Sequence, residues 1–185
     1  QDRQSFKNAF RFTAFEYLDK NVFKGEKVGE LMYKLGRYYY LEPHKIHGMT
    51  MCTSALFYPM SQRFFGNPDL DDAVIYDMDK LDDPFYFENV IEYVEKVRDA
   101  FVETKFDERL KREILVNVEM ILLGAEISLI KTNKGVSEEK RAELLERFDA
   151  VIATYRELWL YRNYPYDMSV SVGNLEARKA ELAEY

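Results

Sequence analysis

The stretch Gly135-Val-Ser-Glu-Glu-Lys-Arg-Ala-Glu-Leu-Leu-Glu-Arg-Phe-Asp-Ala-Val-Ile-Ala-Thr-Tyr-Arg-Glu-Leu-Trp-Leu-Tyr-Arg-Asn163 decides the fold, because its start, face and end can all be read. Gly135 suits the end of a preceding helix, and the Ser137 hydroxyl suits the free N–H groups that open the next. Glu138 and Glu139 put negative charge in the first turn, where the helix dipole favours it. Leu144, Phe148, Val151, Ile152, Tyr155, Leu158 and Trp159 then recur at helical spacing. Glu143, Glu146, Arg147, Asp149 and Arg156 take the other faces, and Pro165 closes the run. The spacing predicts one long helix with a continuous buried stripe.

Upstream, Asp107 can cap a second long helix running to about Thr132. Leu110, Ile114, Leu115, Val118, Ile121, Leu122, Ala125 and Leu129 would lie on its buried side. The short link at Asn133-Lys134-Gly135 requires the two helices to be antiparallel neighbours. Before them, Pro84 suits the first turn of a helix carried to about Thr104 by Phe85, Phe87, Val90, Ile91, Val94, Val97, Phe101 and Val102. Near the N-terminus, Phe6, Phe10, Thr13, Ala14, Tyr17 and Leu18 mark a helix over Gln4 to Lys20. Another is expected from Glu26 to Leu41, in which Gly29 and Gly36 would sit where another backbone comes close. Thr50 can cap a short helix ending before Pro59. Residues 61–83 read as a long irregular connection with seven aspartates and room for one short helix. Residues 164–173 read as an irregular tail, with Asn174 capping a last helix that ends near Glu184. No run holds period-two alternation long enough to predict a strand. The expected fold is an all-α bundle of six or seven helices, formed by residues 1–185 as one domain.

Composition narrows the function classes. A chain of 185 residues can bury about 70% of its unfolded surface in a single core. Its 47% hydrophobic and 32% charged residues describe a folded domain, and no apolar run approaches the length of a bilayer span. A net charge of −7 with no basic stripe argues against a nucleic-acid partner. The single cysteine, Cys52, excludes an internal disulfide, and the absence of any signal-like segment favours the cytoplasm. With 14 Tyr and 13 Phe the chain is rich in aromatics, which suits packing, an interface or a stacking platform for a ligand.

Candidate sites are few. His44, His47 and Cys52 lack a fourth ligand for zinc, so no metal is expected. Asp77, Asp79, Asp83 and Glu88 imitate a calcium loop, but Leu81 and Asp82 occupy positions that need an oxygen ligand and a glycine. No nucleophile pair, phosphate-binding loop or dinucleotide fingerprint occurs, and no cofactor is implied. The residues that stand out are Tyr155, Trp159, Arg162 and Asn163, at i, i+4, i+7 and i+8 on one side of the long helix. They can serve either as core with an ion pair at the bundle end, or as a face presented to a partner.

The run Tyr155-Arg-Glu-Leu-Trp-Leu-Tyr-Arg-Asn163 resembles the last long helix of the helical C-terminal domain found in some glycoside hydrolase family 20 enzymes, the β-N-acetylhexosaminidases. Leu35-Gly-Arg-Tyr-Tyr39 resembles a Leu-Gly-x-Tyr-Tyr run near the start of that domain. The tail departs from the pattern, with Tyr164-Pro-Tyr-Asp-Met168 where the family tends towards Gly-Gly-Leu. The resemblance implies a longer polypeptide whose catalytic Asp-Glu pair lies in a (β/α)8 barrel outside this chain. This bundle would then be a non-catalytic accessory domain that packs on the barrel or mediates a homodimer. The competing expectation is a free-standing regulatory or adaptor module that takes a small ligand or peptide.

Overall fold

The computed structural model describes residues 13–42, 49–66, 76–80 and 85–185. The chain is all-α, with seven helices among the described residues: α1 (13–21), α2 (Gly29–Leu35), α3 (Met51–Phe57), α4 (Phe85–Glu103), α5 (Glu108–Asn133), α6 (Glu138–Arg162) and α7 (Met168–Glu184).

α5 is the centre of the bundle, and its sequence shows why. Ile114, Val118, Leu122 and Ala125 form one apolar stripe, buried with Val90, Val94, Val97 and Phe101 of α4 and with Phe23 and Val28. Val116, Leu123, Ile127 and Ile130 form a second stripe on the opposite side. That stripe joins Met51 and Leu56 of α3, Leu144, Phe148 and Val151 of α6, and Val172, Leu175 and Leu182 of α7. A helix apolar on two sides is one buried between layers. The sequence predicts a single buried side for α5, and four residues of that side, Leu110, Leu115, Ile121 and Leu129, are only partly buried. The expected α6 stripe is buried from Leu144 to Leu158, with Tyr155 and Trp159 half-buried. Full burial of Leu144 and Phe148 contributes about 1.5–3 kcal/mol each.

The α5–α6 hairpin is antiparallel, as the short link requires. Ion pairs record the register: Glu126 with Lys140 at 2.6 Å, Glu119 with Arg147 at 3.1 Å, and Arg112 with Glu157 at 2.6 Å, so partners run in opposite order along the two helices. Asp107 and Ser137 cap α5 and α6 by accepting from the N–H groups of Leu110 and Lys140. The left-handed residue that ends α5 is Lys134, at φ 55°, and not Gly135.

Four further expectations are corrected. The second helix does not run through to Leu41: α2 ends at Leu35, and a 3-10 turn follows over Tyr38–Tyr40. Its start is capped from outside, since Asp19 of α1 accepts from the N–H groups of Val28 and Gly29 at 2.9 and 2.6 Å. Gly36 has no close backbone neighbour across the fold, its nearest contacts being ordinary ones at 3.7 Å to its own turn. α7 starts at Met168, so Asn174 lies inside it; a 3-10 turn over Pro165–Asp167 feeds straight into the helix. Within the aspartate-rich connection, Phe64–Phe65 and Tyr76–Asp77 pair as a short antiparallel ribbon, Phe64 opposite Asp77. Two residues per strand are too few to display alternation. The part of the first helix before residue 13, Pro43, residues 67–75 and Pro84 lie outside the described residues.

Two glycines mark where backbones touch. A Cβ on Gly29 would lie 2.9 Å from the Phe15 Cα, which fulfils the expected close approach of α1 and α2. A Cβ on Gly124 would lie 2.3 Å from the Cys52 carbonyl oxygen, so α3 crosses α5 with no room for a side chain. Gly173, inside α7, has nothing within 4 Å of that position. Gly124→Ala should therefore destabilise the protein by about 2–4 kcal/mol, through separation of α3 from α5. Gly173→Ala should stabilise it by about 0.5–1 kcal/mol by lowering the entropy of the unfolded chain. Urea unfolding of the two variants checks both signs.

Candidate functional site

The end of α6 carries Tyr155, Trp159, Arg162 and Asn163, and the structure places them along its last two turns and C-cap. The Tyr155 and Trp159 rings lie 5.6 Å apart at 39°, a tilted pair on the half-buried edge of the helix. The Trp159 indole Nε1 donates to the Tyr164 carbonyl at 2.8 Å, which ties the exit of the chain back onto the helix. Asn163 closes the helix, its backbone N–H donating to the Trp159 carbonyl at 2.9 Å. Arg162 reaches across to α5, where its Nε meets both carboxylate oxygens of Glu113 at 2.9 Å and its Nη2 approaches one of them at 2.7 Å. The hydrogen bonds and charge of Glu113 hold the Arg162 guanidinium above its ordinary range. Arg109 lies nearby, over the Tyr161 ring at 5.4 Å from its centroid.

Around this helix end the chain presents apolar surface to solvent. Leu160, Tyr161, Tyr164, Tyr166 and Val170 are all exposed, Tyr164 and Tyr166 to 88% each. They fall within eleven consecutive positions, from the last turn of α6 through the 3-10 turn to the first turn of α7. Tyr164, Tyr166 and Val170 were not singled out from the sequence. The signal lay in Tyr164-Pro-Tyr166, two aromatics held apart by a proline in a turn, where neither can join a helix stripe. The corner offers ring faces, phenol hydroxyls and an ion-paired guanidinium, and aromatic residues and Arg are the types enriched at protein interfaces.

His44 and His47 lie outside the described residues. Cys52 is buried, and burial pushes its thiol well up, with Glu42 adding to the effect. Among the described residues no group of three or more His, Cys, Asp or Glu could hold a metal ion. In the calcium-like run, Asp77 accepts from the Asp79 N–H at 2.9 Å. Asp79 pairs with Arg63 at 2.7 Å and Lys134 at 3.5 Å, and the Arg63 hydrogen bond holds its carboxyl below the usual range. Asp83 is not among the described residues. No helix among them is long and apolar enough to cross a membrane.

One polar cluster is buried instead of exposed. Lys131 of α5 is 1% exposed and donates from Nζ to the Pro59 carbonyl at 3.1 Å. Arg178 of α7 pairs with Glu181, which also accepts from the Met60 N–H at 2.6 Å; the Arg178 Nε is buried without a hydrogen-bond partner. The cluster joins the exit of α3 to α5 and α7. Burial, reinforced by Arg178 and Arg63, lowers the Lys131 ammonium to about 8.

No family model, no curated protein and no solved structure matches this chain.

The Lys131 shift fixes a pH dependence. Lys131 has a folded value of about 8 against an ordinary 10.5, so between those values the unfolded chain binds more protons and stability rises with pH. Tyr38, raised by burial from 10.0 to about 12, acts in the opposite sense above pH 10, where the unfolded chain loses its proton first. Urea unfolding across this range should show stability climbing from pH 8 to 10, and Lys131→Met should flatten that climb.

Proposed function

We propose that this chain is a non-catalytic helical accessory domain of a family 20 glycoside hydrolase, docking through the corner where α6 meets α7 onto the catalytic barrel of the same polypeptide. The observation that carries the reading is the run of exposed apolar residues from Leu160 to Val170, with Tyr164 and Tyr166 almost wholly in solvent. Covering them in a docked interface would remove apolar surface from water at about 25 cal/mol per Å². The corner is also held in shape before any partner arrives. Trp159 pins the Tyr164 backbone and Glu113 fixes Arg162, so little ordering entropy is lost on docking. The two motifs at 35–39 and 155–163 direct the proposal to family 20, and in it the Asp-Glu pair that cleaves the glycoside belongs to the barrel.

The test compares the whole polypeptide that carries this chain with the 185-residue chain alone on a chromogenic N-acetyl-β-glucosaminide. The whole protein should hydrolyse it and the chain alone should not. Tyr164→Asp together with Tyr166→Asp should lower the temperature at which the whole protein loses activity, because both carboxylates would be desolvated on docking. An inactive whole protein would overturn the family reading. Unchanged thermal inactivation would overturn the docking corner, and a chain that dimerises through these tyrosines would assign the surface to a second copy.

A further inference from the structure

Tyr86, Asn89, Tyr93 and Lys96 recur at i, i+3, i+7 and i+10 of α4, so one stripe of that helix carries two phenol rings, a carboxamide and an ammonium group. Opposite the stripe stand Tyr40 and Leu41, at the end of the 3-10 turn that follows α2. Between them runs a groove of about 470 Å³, to which Glu92 also contributes. Its walls are set by contacts already made. The Tyr93 hydroxyl donates to the Lys34 carbonyl at 2.8 Å, which fixes that ring against α2. Tyr40, 69% exposed, meets Tyr39 edge-on at 5.6 Å, and the Arg37 guanidinium lies 6.0 Å from its centroid. Glu92 and Lys96 pair at 2.5 Å on the rim, which places a charged acceptor beside a charged donor.

The chemistry of this lining selects among ligand classes. A pyranose ring presents a face of C–H groups and a rim of hydroxyls. The electron-rich faces of tyrosines attract the C–H face. Hydroxyls need both donors and acceptors, and Asn89 supplies both, Glu92 accepts and Lys96 donates. An apolar peptide anchor would find only Leu41 as an aliphatic wall. A nucleic acid would meet a carboxylate in a chain of net charge −7. The groove falls within the about 300–1,000 Å³ typical of small-ligand sites.

We infer that the groove between the 3-10 turn and α4 is a binding subsite for a neutral oligosaccharide, which stacks on Tyr40 and Tyr86 and hydrogen-bonds through its hydroxyls to Asn89, Glu92 and Lys96. It lies on the α4 side of α5, away from α6 and α7, and does not rest on the docking corner.

The test is a titration of the 185-residue chain with cellotetraose and, separately, chitotetraose, followed by amide chemical shifts. At least one sugar should produce saturable shifts at Tyr40 and along residues 86–96, with a Kd of about 0.1–5 mM. Tyr40→Ala and Asn89→Ala, both at exposed positions, should each weaken binding about tenfold, and Tyr166→Ala at the distant corner should leave it unchanged. Unshifted amides elsewhere would establish that each variant is folded. The absence of saturable shifts with either sugar up to about 20 mM would overturn the inference. So would binding that both groove substitutions leave intact, or a proline-rich peptide saturating these amides where neither sugar does.

Discussion

Where α3 crosses α5, two backbones touch without a side chain between them. The Cys52 carbonyl lies where a β-carbon on residue 124 would have to be, so α3 can cross α5 only over Gly124. The crossing brings Met51, Ala55 and Leu56 against one face of α5 while Cys52 itself joins the cluster on the other. Because interiors are close-packed, a separation of even one methyl group there would open gaps on both sides of α5 at once. The two halves of the core share α5, and the α3 crossing touches both of them. The α4 layer and the α6–α7 layer both pack on α5, the helix that α3 crosses there.

Polar groups do the locating that apolar burial cannot. Burial rewards any arrangement that removes the same area from water, so it does not by itself fix where a short helix begins. Here two buried carboxylates do so. Asp19 accepts from the first N–H groups of α2, and Glu42 accepts from the Met51 and Cys52 N–H groups at 2.9 and 3.2 Å, with Thr50 completing the cap of α3. Each carboxylate is satisfied by donors at a helix N-terminus, where the dipole also favours negative charge. At the far end of α3, Lys131, Arg178 and Glu181 hold the exit of the chain. The short helix that crosses Gly124 is therefore held at both ends by buried charge.

What the sequence disclosed follows from the range of each interaction. Ser137, Asp107 and Thr50 cap within three residues, so their helix starts were legible, as was the stripe from Leu144 to Leu158. Asp19 and Glu42 cap helices nine and ten residues away, and no local rule finds them. The expected buried side of α5 is a single one because Ile121 and Leu129 fall with Ile114, Val118 and Leu122 on the helical wheel and make that stripe dominant. The second stripe required knowing that the helix is covered on both sides. The expected start of α7 falls seven residues late because Asn174 looks like a cap, whereas Pro165 has already begun the turn that leads into the helix capped at Asp167. At the corner, the shared helical face of Tyr155, Trp159, Arg162 and Asn163 was readable from spacing alone. The Glu113 partner of Arg162 lies 49 residues away, and the exposure of Tyr164 and Tyr166 depends on where the chain turns. Gly124 left a faint trace, as a glycine inside a long helix costs about 1 kcal/mol and so implies a reason for being there.

The most direct test of the dependence on the α3–α5 crossing is native-state hydrogen exchange of the intact chain. α3 has only seven residues and would not persist alone. If the contact over Gly124 unites the core, the amides in the second half of α3 should exchange only through global unfolding, with the same free energy and denaturant dependence as those in the middle of α5. Exchange of α3 amides at a distinctly lower free energy, while α5 stays protected, would contradict the account. It would show that α4, α5 and α6 hold together without α3.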